Sequence, residues 1–208
     1  MSPADVAFAM VLACSAILAA LIAGRANPVS RDYLRFAAAL YLAFAVCVGI
    51  ATIWPDATTL VFADAVMLVI LALTPVALAL ALFARLEHPP STVIAAILLV
   101  LACIAGIAAA ASATPVLSLA PLALGALAMV ALCARHWSSE KNGVAHAFLS
   151  VCCLICGTAA SLGGGQTALV LFSSAAVLGF ALALGRRSRV GVVSRHDLRS
   201  AVAISKKG

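Results

Sequence analysis

Charged side chains are scarce in this chain of 208 residues. Only 10% of the residues are Asp, Glu, Lys or Arg, whereas hydrophobic residues make up 65% of the sequence. The mean hydropathy is +1.20. A soluble domain is typically about half apolar and about a quarter charged. The scarcity of charge therefore excludes a soluble globular domain and predicts an integral membrane protein.

Motifs of catalysis and nucleotide binding are missing as well. The sequence contains no G-x-x-x-x-G-K-[ST], H-E-x-x-H, G-x-S-x-G or C-x-x-C-H pattern. The last apolar run, residues 166–185, has no lysine, which excludes a retinal Schiff base there. We therefore expect a protein that is not an enzyme, and the sequence predicts no cofactor.

Long runs of Ala, Leu, Val and Ile make up most of the sequence. Runs of about 20 residues match a hydrocarbon core of about 30 Å at a rise of 1.5 Å per residue. The runs are apolar on all sides, as expected where lipid surrounds the helices. We predict an all-α bundle of seven transmembrane helices that pack through small residues. The predicted spans are approximately 4–24, 33–54, 58–84, 91–112, 115–134, 144–162 and 166–185.

The division between the fourth and fifth spans depends on Pro115. A proline cannot donate a backbone hydrogen bond, and the residue before it, Thr114, is disfavoured in helical geometry. A helix break is the prediction, and a re-entrant hairpin is the alternative.

The basic residues segregate to one side of this predicted topology. With the N-terminus outside, all 13 Lys and Arg residues fall in the inner connections and the tail. This distribution follows the positive-inside rule and predicts a cytoplasmic C-terminus. The net positive charge thus reports topology, and we do not expect nucleic-acid binding. The segment MSPAD lacks the basic residues of a secretory signal, so we expect the first span to be retained. Short loops and Ala-rich spans suggest a bacterial inner membrane.

The chain divides into a membrane domain, residues 1–185, and a basic cytoplasmic tail, residues 186–208. Ser194 and Asp197 have the spacing of a helix-capping box, which predicts a short amphipathic helix. A disordered tail whose charges only fix orientation is the alternative. Five tail arginines are predicted to contact anionic lipid headgroups of the inner leaflet: Arg186, Arg187, Arg189, Arg195 and Arg199.

One carboxylate, Asp64, interrupts the apolar stretch TTLVFADAVMLVILALTP. It lies about 9 Å below the outer boundary of the third predicted span. An ionisable group at this depth is costly and suggests a functional role. Because no Lys, Arg or His maps to the outer side, four states of Asp64 remain open. It is neutral and hydrogen-bonded, paired with the N-terminal amine, bound to an external proton or cation, or paired with a basic residue of another protein. The candidate ion or ligand residues that share its depth are Thr158, Ser161, Gln166 and Thr167.

Pro75 lies in the middle of the third predicted span. A proline there deprives a carbonyl one turn earlier of its donor, and the hydroxyl of Thr74 could satisfy that carbonyl. The pair predicts a kink and a candidate hinge.

The cysteines are also candidates for chemistry. Cys152 and Cys156 lie one turn apart in VCCLIC, a spacing that suits a soft metal ion. No His or carboxylate shares their depth in the sixth span. The alternative is that cysteine serves as a small residue that lets helices approach.

Two functions fit this pattern. The first is a sensory module or an accessory subunit of a membrane complex, whose partner is another membrane protein or a second copy of the chain. The second is a small transporter that couples to protons or cations through Asp64. Its support is the predicted topology, in which spans 1–3 and 5–7 would have the same orientation and span 4 would connect them, as in a 3+1+3 repeat. A transporter requires a water-reachable cavity at Asp64, whereas a subunit requires a flank that another chain covers.

Overall fold

The computed structural model describes residues 3–87, 90–112, 116–138, 141–162 and 166–185. These segments contain seven α-helices and no strand, which confirms the all-α prediction for the described part of the chain. Each helix coincides with a predicted span to within a few residues. The helices are α1 (Pro3–Ala23), α2 (Pro28–Ile53), α3 (Ala57–Leu86), α4 (Thr92–Ala111), α5 (Val116–His136), α6 (Lys141–Leu162) and α7 (Gln166–Gly185).

Local chemistry accounts for several helix ends. α2 begins with Pro28, a residue whose fixed φ suits the first turn and whose missing N–H costs nothing there. The same helix stops at Trp54, whose backbone leaves helical geometry directly before Pro55. α4 begins after Ser91, whose hydroxyl accepts a hydrogen bond of 3.3 Å from the backbone N–H of Ile94.

Several of these helices have the length and hydropathy of membrane spans. Four stretches qualify: the whole of α2, α3 and α4, and Leu119–His136 of α5. Shorter apolar stretches occupy Ala9–Ala23, Val144–Gly157 and Ser174–Gly185. Large apolar side chains also cover much of the exterior, as on α4, where Val100, Ile104 and Ile107 are exposed. These features indicate a membrane protein.

The helices pack in a ring. α1 contacts α2, α2 contacts α3, α3 contacts α5, α5 contacts α6, α6 contacts α7, and α7 returns to α1. α4 lies outside this ring, against α3 and α5. The largest fully buried side chains in the interior include Phe180, Leu12, Leu34, Leu78, Leu82 and Met129.

Small residues allow close approach at the contacts of α4 and α5 with α3. A Cβ built on Gly106 of α4 would lie 2.6 Å from Cα of Val69. A Cβ built on Gly125 of α5 would lie 3.0 Å from the carbonyl carbon of Pro75. These glycines let the helix backbones meet almost directly, as is common between transmembrane helices.

The two halves of α3 differ in burial. None of residues 57–69 is buried, whereas most residues between Ile70 and Ala84 are. The second half therefore forms part of the core. In the first half, residues 65–69 are half-buried and residues 57–64 are mostly exposed.

Candidate functional site

Asp64 lies in the uncovered half of α3. It is about 10 Å along the helix axis from Ala57, where α3 begins. Its side chain is exposed, and it makes no hydrogen bond or ion pair with any residue that the structure describes. No described residue therefore provides the hydrogen bond expected if Asp64 is neutral and bonded within the chain. The N-terminal amine lies outside the described residues.

The surface around Asp64 is apolar. Ala57, Leu60 and Val61 share its helix face, because they precede it by seven, four and three residues. All three are exposed, Val61 to 70%. We call the face formed by Ala57, Leu60, Val61 and Asp64 the Asp64 flank. It combines side chains that are stable in lipid with one carboxylate that is not.

A second carboxylate on α3, Asp56, provides a contrast. It is the residue before the helix begins; its side chain makes no cap bond to a backbone N–H, and its Oδ1 accepts a hydrogen bond from the hydroxyl of Thr59. Carboxylates are favoured at helix N-termini, where backbone N–H groups point out of the helix. The N-terminus of α3 thus favours a carboxylate at position 56, whereas no feature of the helix favours one at position 64.

A small cleft lies between α2, α3 and α6, on the C-terminal side of Asp64. It has a volume of about 30 Å³, enough for about one water molecule. Its lining includes Tyr41, Met67, Thr74 and Pro75, and Asp64 is not part of it. This cleft therefore does not supply the water-reachable path to Asp64 that a transporter requires.

The helix continues through Pro75, and its neighbour Thr74 is buried. The Thr74 hydroxyl donates a hydrogen bond of 2.8 Å to the carbonyl of Ile70. Pro75 has no N–H for the carbonyl of Leu71, four residues earlier, so the carbonyl without its usual donor is that of Leu71 and not that of Ile70. Thr74 was expected to satisfy the carbonyl of Leu71, and it bonds to the carbonyl of Ile70 instead. The kink and the hinge stay predictions.

The other predicted ligand candidates belong to the ends of α6 and α7. The backbone of Thr158 and Ser161 belongs to α6, and that of Gln166 and Thr167 to α7. Their side chains lie outside what the structure describes. The tail with its predicted headgroup contacts also lies outside it, namely Arg186, Arg187, Arg189, Arg195 and Arg199.

The cysteine pair has no third ligand within the described residues. Cys152 is partly exposed and Cys156 is exposed, and both thiols are free. Among the described side chains, no group of three or more His, Cys, Asp or Glu residues is placed to hold a metal ion. The metal hypothesis for this pair gains no support.

The sequence interpretation missed a polar cluster where α3, α5 and α7 end together. Glu87 accepts an ion-pair contact of 2.9 Å from Nη1 of Arg135, and Nε2 of His136 lies 3.5 Å from the same carboxylate oxygen. Arg85 donates through Nη1 to the carbonyl of Ala183, at 2.5 Å. The positive-inside rule treats these residues only as loop charges, so their side-chain pairing could not be predicted from it.

Known proteins offer no template for this arrangement. No protein-family model matches the chain, and neither a curated protein nor a solved structure matches it. The exposed carboxylate on an apolar helix face is therefore the feature from which a function is inferred.

Proposed function

We propose that this protein is a non-enzymatic seven-span membrane subunit, a sensory or accessory module, whose α3 binds another membrane protein through the Asp64 flank. One observation carries the proposal. Asp64 is exposed within an apolar face, and it has no partner among the residues that the structure describes.

The orientation follows from the charges at the helix ends. If all seven helices cross the bilayer, the ends that carry basic residues lie on one side, which the positive-inside rule assigns to the cytoplasm. The Asp64 flank then lies in the outer half of the membrane, and the N-terminus lies outside. The basic residues described at the cytoplasmic ends are Arg25, Arg31, Arg35, Arg85, Arg135 and Lys141. A bacterial inner membrane fits the short connections between helices.

Burial against a partner resolves the energetic conflict at Asp64. A carboxylate in the hydrocarbon region of a membrane costs a few kcal/mol, about 2.5–3.5 at the centre of a span. A partner that offers a Lys, Arg or His, or an amide donor, at the same depth offsets that cost with a charge-assisted hydrogen bond. Such a partner would pack apolar or small side chains against Leu60 and Val61.

The shape of the bundle supports the same site. The second half of α3 is enclosed by its neighbours, whereas residues 57–69 include no buried side chain. A transmembrane helix of a partner has access to residues 57–64, most of which are exposed, whereas Val69 is already covered by Gly106 of α4. The Asp64 flank therefore provides both an accessible surface and a polar anchor within it.

The proposal is tested by purifying the full chain from its native membrane in a mild detergent and measuring the mass of the intact complex. We expect a complex heavier than the 21.0 kDa chain. Asp64→Asn should release the partner, because it removes the charge that the partner neutralises. Asp56→Asn is the matched control, since an amide oxygen can still accept from Thr59. It should leave the complex intact.

The same variants separate a subunit from a transporter. If the wild-type chain elutes alone, and Asp64→Asn abolishes a proton-linked flux in vesicles, the subunit proposal is overturned. A flux that is unchanged by Asp64→Asn leaves the transporter hypothesis without its central residue.

A further inference from the structure

A groove runs along the surface between α1 and α2, and the Asp64 flank is not part of it. Two open clefts form the groove, with volumes of about 390 Å³ and about 280 Å³. They meet at Leu42 and their α2 residues repeat at a spacing of three or four, so the two clefts lie end to end along one face of α2. We call the whole feature the α1–α2 groove. It extends along α2 from Arg35 to Ile53.

The larger cleft has a floor of small residues. Alanines from both helices form it: Ala16 and Ala20 from α1, and Ala38 and Ala39 from α2. These side chains are too short to fill the space between the helices. The cleft is therefore a depression that can hold a narrow, flexible apolar chain.

The walls and the far end of the α1–α2 groove are apolar as well. Ile17 and Leu21 of α1 and Leu42 of α2 line the larger cleft and are exposed. In the smaller cleft, a Cβ added to Gly49 would meet nothing within 4 Å. The α1–α2 groove thus offers hydrocarbon contact along its length.

Arg35 gives the groove a polar end. Of the described residues that line the two clefts, it is the one with a charge. It lies at the end where α1 stops and α2 begins, and it forms no ion pair with a described residue. Its neighbour Arg31 contacts Asp32 at 3.5 Å instead. The guanidinium of Arg35 is therefore available to an anion at the mouth of the groove.

We infer that the α1–α2 groove binds one anionic glycerophospholipid. Its phosphate lies at Arg35, whose planar guanidinium can donate two parallel hydrogen bonds to phosphate oxygens. One acyl chain follows the alanine floor toward Leu42 and Gly49.

The dimensions fit a single lipid leaflet. The helical rise places Leu42 about 10 Å and Gly49 about 21 Å from Arg35 along α2. One leaflet contributes about 15 Å of the hydrocarbon core. An acyl chain anchored at Arg35 would therefore end inside the groove. A helix of a partner protein could also fill the apolar part, but it would need an acidic residue at the depth of Arg35.

The lipid site is tested by native mass spectrometry of the full chain in detergent. Phosphatidylglycerol and phosphatidylcholine with the same acyl chains are the two probes. We expect one tightly held phosphatidylglycerol, because the choline ammonium of phosphatidylcholine offsets the attraction of its phosphate to Arg35. Arg35→Gln should weaken its binding at least about tenfold, because the glutamine amide can replace at most one of the two hydrogen bonds and carries no charge. Arg31→Gln removes the same charge from the same end of α2 but not from the groove, and it should change little.

A second variant tests the apolar part and keeps Arg35 in place. Ala39→Leu puts a larger side chain on the exposed part of the floor and should reduce retention of phosphatidylglycerol. Equal weakening by Arg31→Gln and Arg35→Gln would overturn the inference in favour of diffuse surface charge. Equal retention of both lipids would also overturn it. A complex with a second protein that holds no lipid, and that Ala39→Leu dissociates, would identify the groove as a protein interface instead.

Discussion

At the scale of single residues, the two carboxylates of α3 show what the sequence could and could not predict. The sequence predicted that Asp64 is unusual, because a carboxylate within an apolar run is costly in a membrane. It could not predict which way the side chain faces, because a helix that is apolar all round carries no signal for its buried side. The exposure of Asp64, and the absence of a partner among the described residues, follow from the packing of α3.

Gly106 provides a prediction at this scale. Gly106→Ala would place a Cβ 2.6 Å from the backbone of Val69, so α4 must shift away from α3. We expect a loss of about 1–3 kcal/mol in the free energy of unfolding in detergent, as for other overpacked contacts.

Gly49→Ala is the control, since the added methyl group meets nothing within 4 Å. It should be neutral or stabilise the helix by up to about 1 kcal/mol, because alanine is the better helix former. Equal stabilisation by both substitutions would mean that α4 does not pack closely on α3.

At the scale of elements, the sequence predicted all seven helices from the length of the apolar runs and the breaks at Pro and Gly. It was less accurate at some ends. The second span was expected from residue 33, whereas α2 begins at Pro28. Hydropathy reports depth in lipid, whereas the start of α2 is helical because its backbone hydrogen bonds form, beginning with the bond from Arg31 N–H to the carbonyl of Asn27.

Which helices touch could not be predicted from the sequence either. α3 contacts α5 as well as its sequence neighbours α2 and α4. At its C-terminal end, Glu87 and Arg85 connect α3 to α5 and α7. These contacts depend on side chains from distant segments, and neither residue has a sequence pattern that names its partner.

The ion pair between Glu87 and Arg135 and the hydrogen bond from Arg85 to Ala183 should differ in strength. The side chain of Arg135 is 75% exposed, so its ion pair with Glu87 is largely screened by solvent. Arg135→Gln should therefore change the free energy of unfolding by less than about 1 kcal/mol. Arg85 is partly buried and donates to a carbonyl in the last turn of α7. Arg85→Gln should cost more, about 1.5–3 kcal/mol, the range for hydrogen bonds to charged groups.

Thermal unfolding of the two variants in the same detergent checks this order. A larger loss for Arg135→Gln than for Arg85→Gln would show that the exposed pair with Glu87 is the stronger connection.

At the scale of the whole molecule, the helices form a ring of six with α4 outside it. The contact between α3 and α5 and the contact between α7 and α1 occupy equivalent places in this ring. This is the geometry that a 3+1+3 arrangement needs, with α4 as the connector. Any closed ring of these six helices in chain order has the same property, so a true repeat stays a prediction.

The ring also explains why a partner would bind at α3. α4 covers one side of α3 where Gly106 meets Val69, and residues 57–64, nearer the start of α3, stay mostly exposed. The sequence predicted that a subunit needs a flank covered by another chain. The Asp64 flank has the chemistry expected of such a surface, since it joins an accessible apolar face to a carboxylate, and its partner stays a prediction.

Photo-crosslinking in the native membrane tests the docking of a partner at the Asp64 flank most directly. A photoreactive side chain replaces Val61 in one variant and Ile104 of α4 in the other, both exposed apolar positions. We expect the position-61 variant to form a crosslink with one membrane protein, and Asp64→Asn to abolish it. The position-104 variant should form none. If both positions crosslink only to lipid, the Asp64 flank faces the bilayer and the proposed subunit interface is wrong.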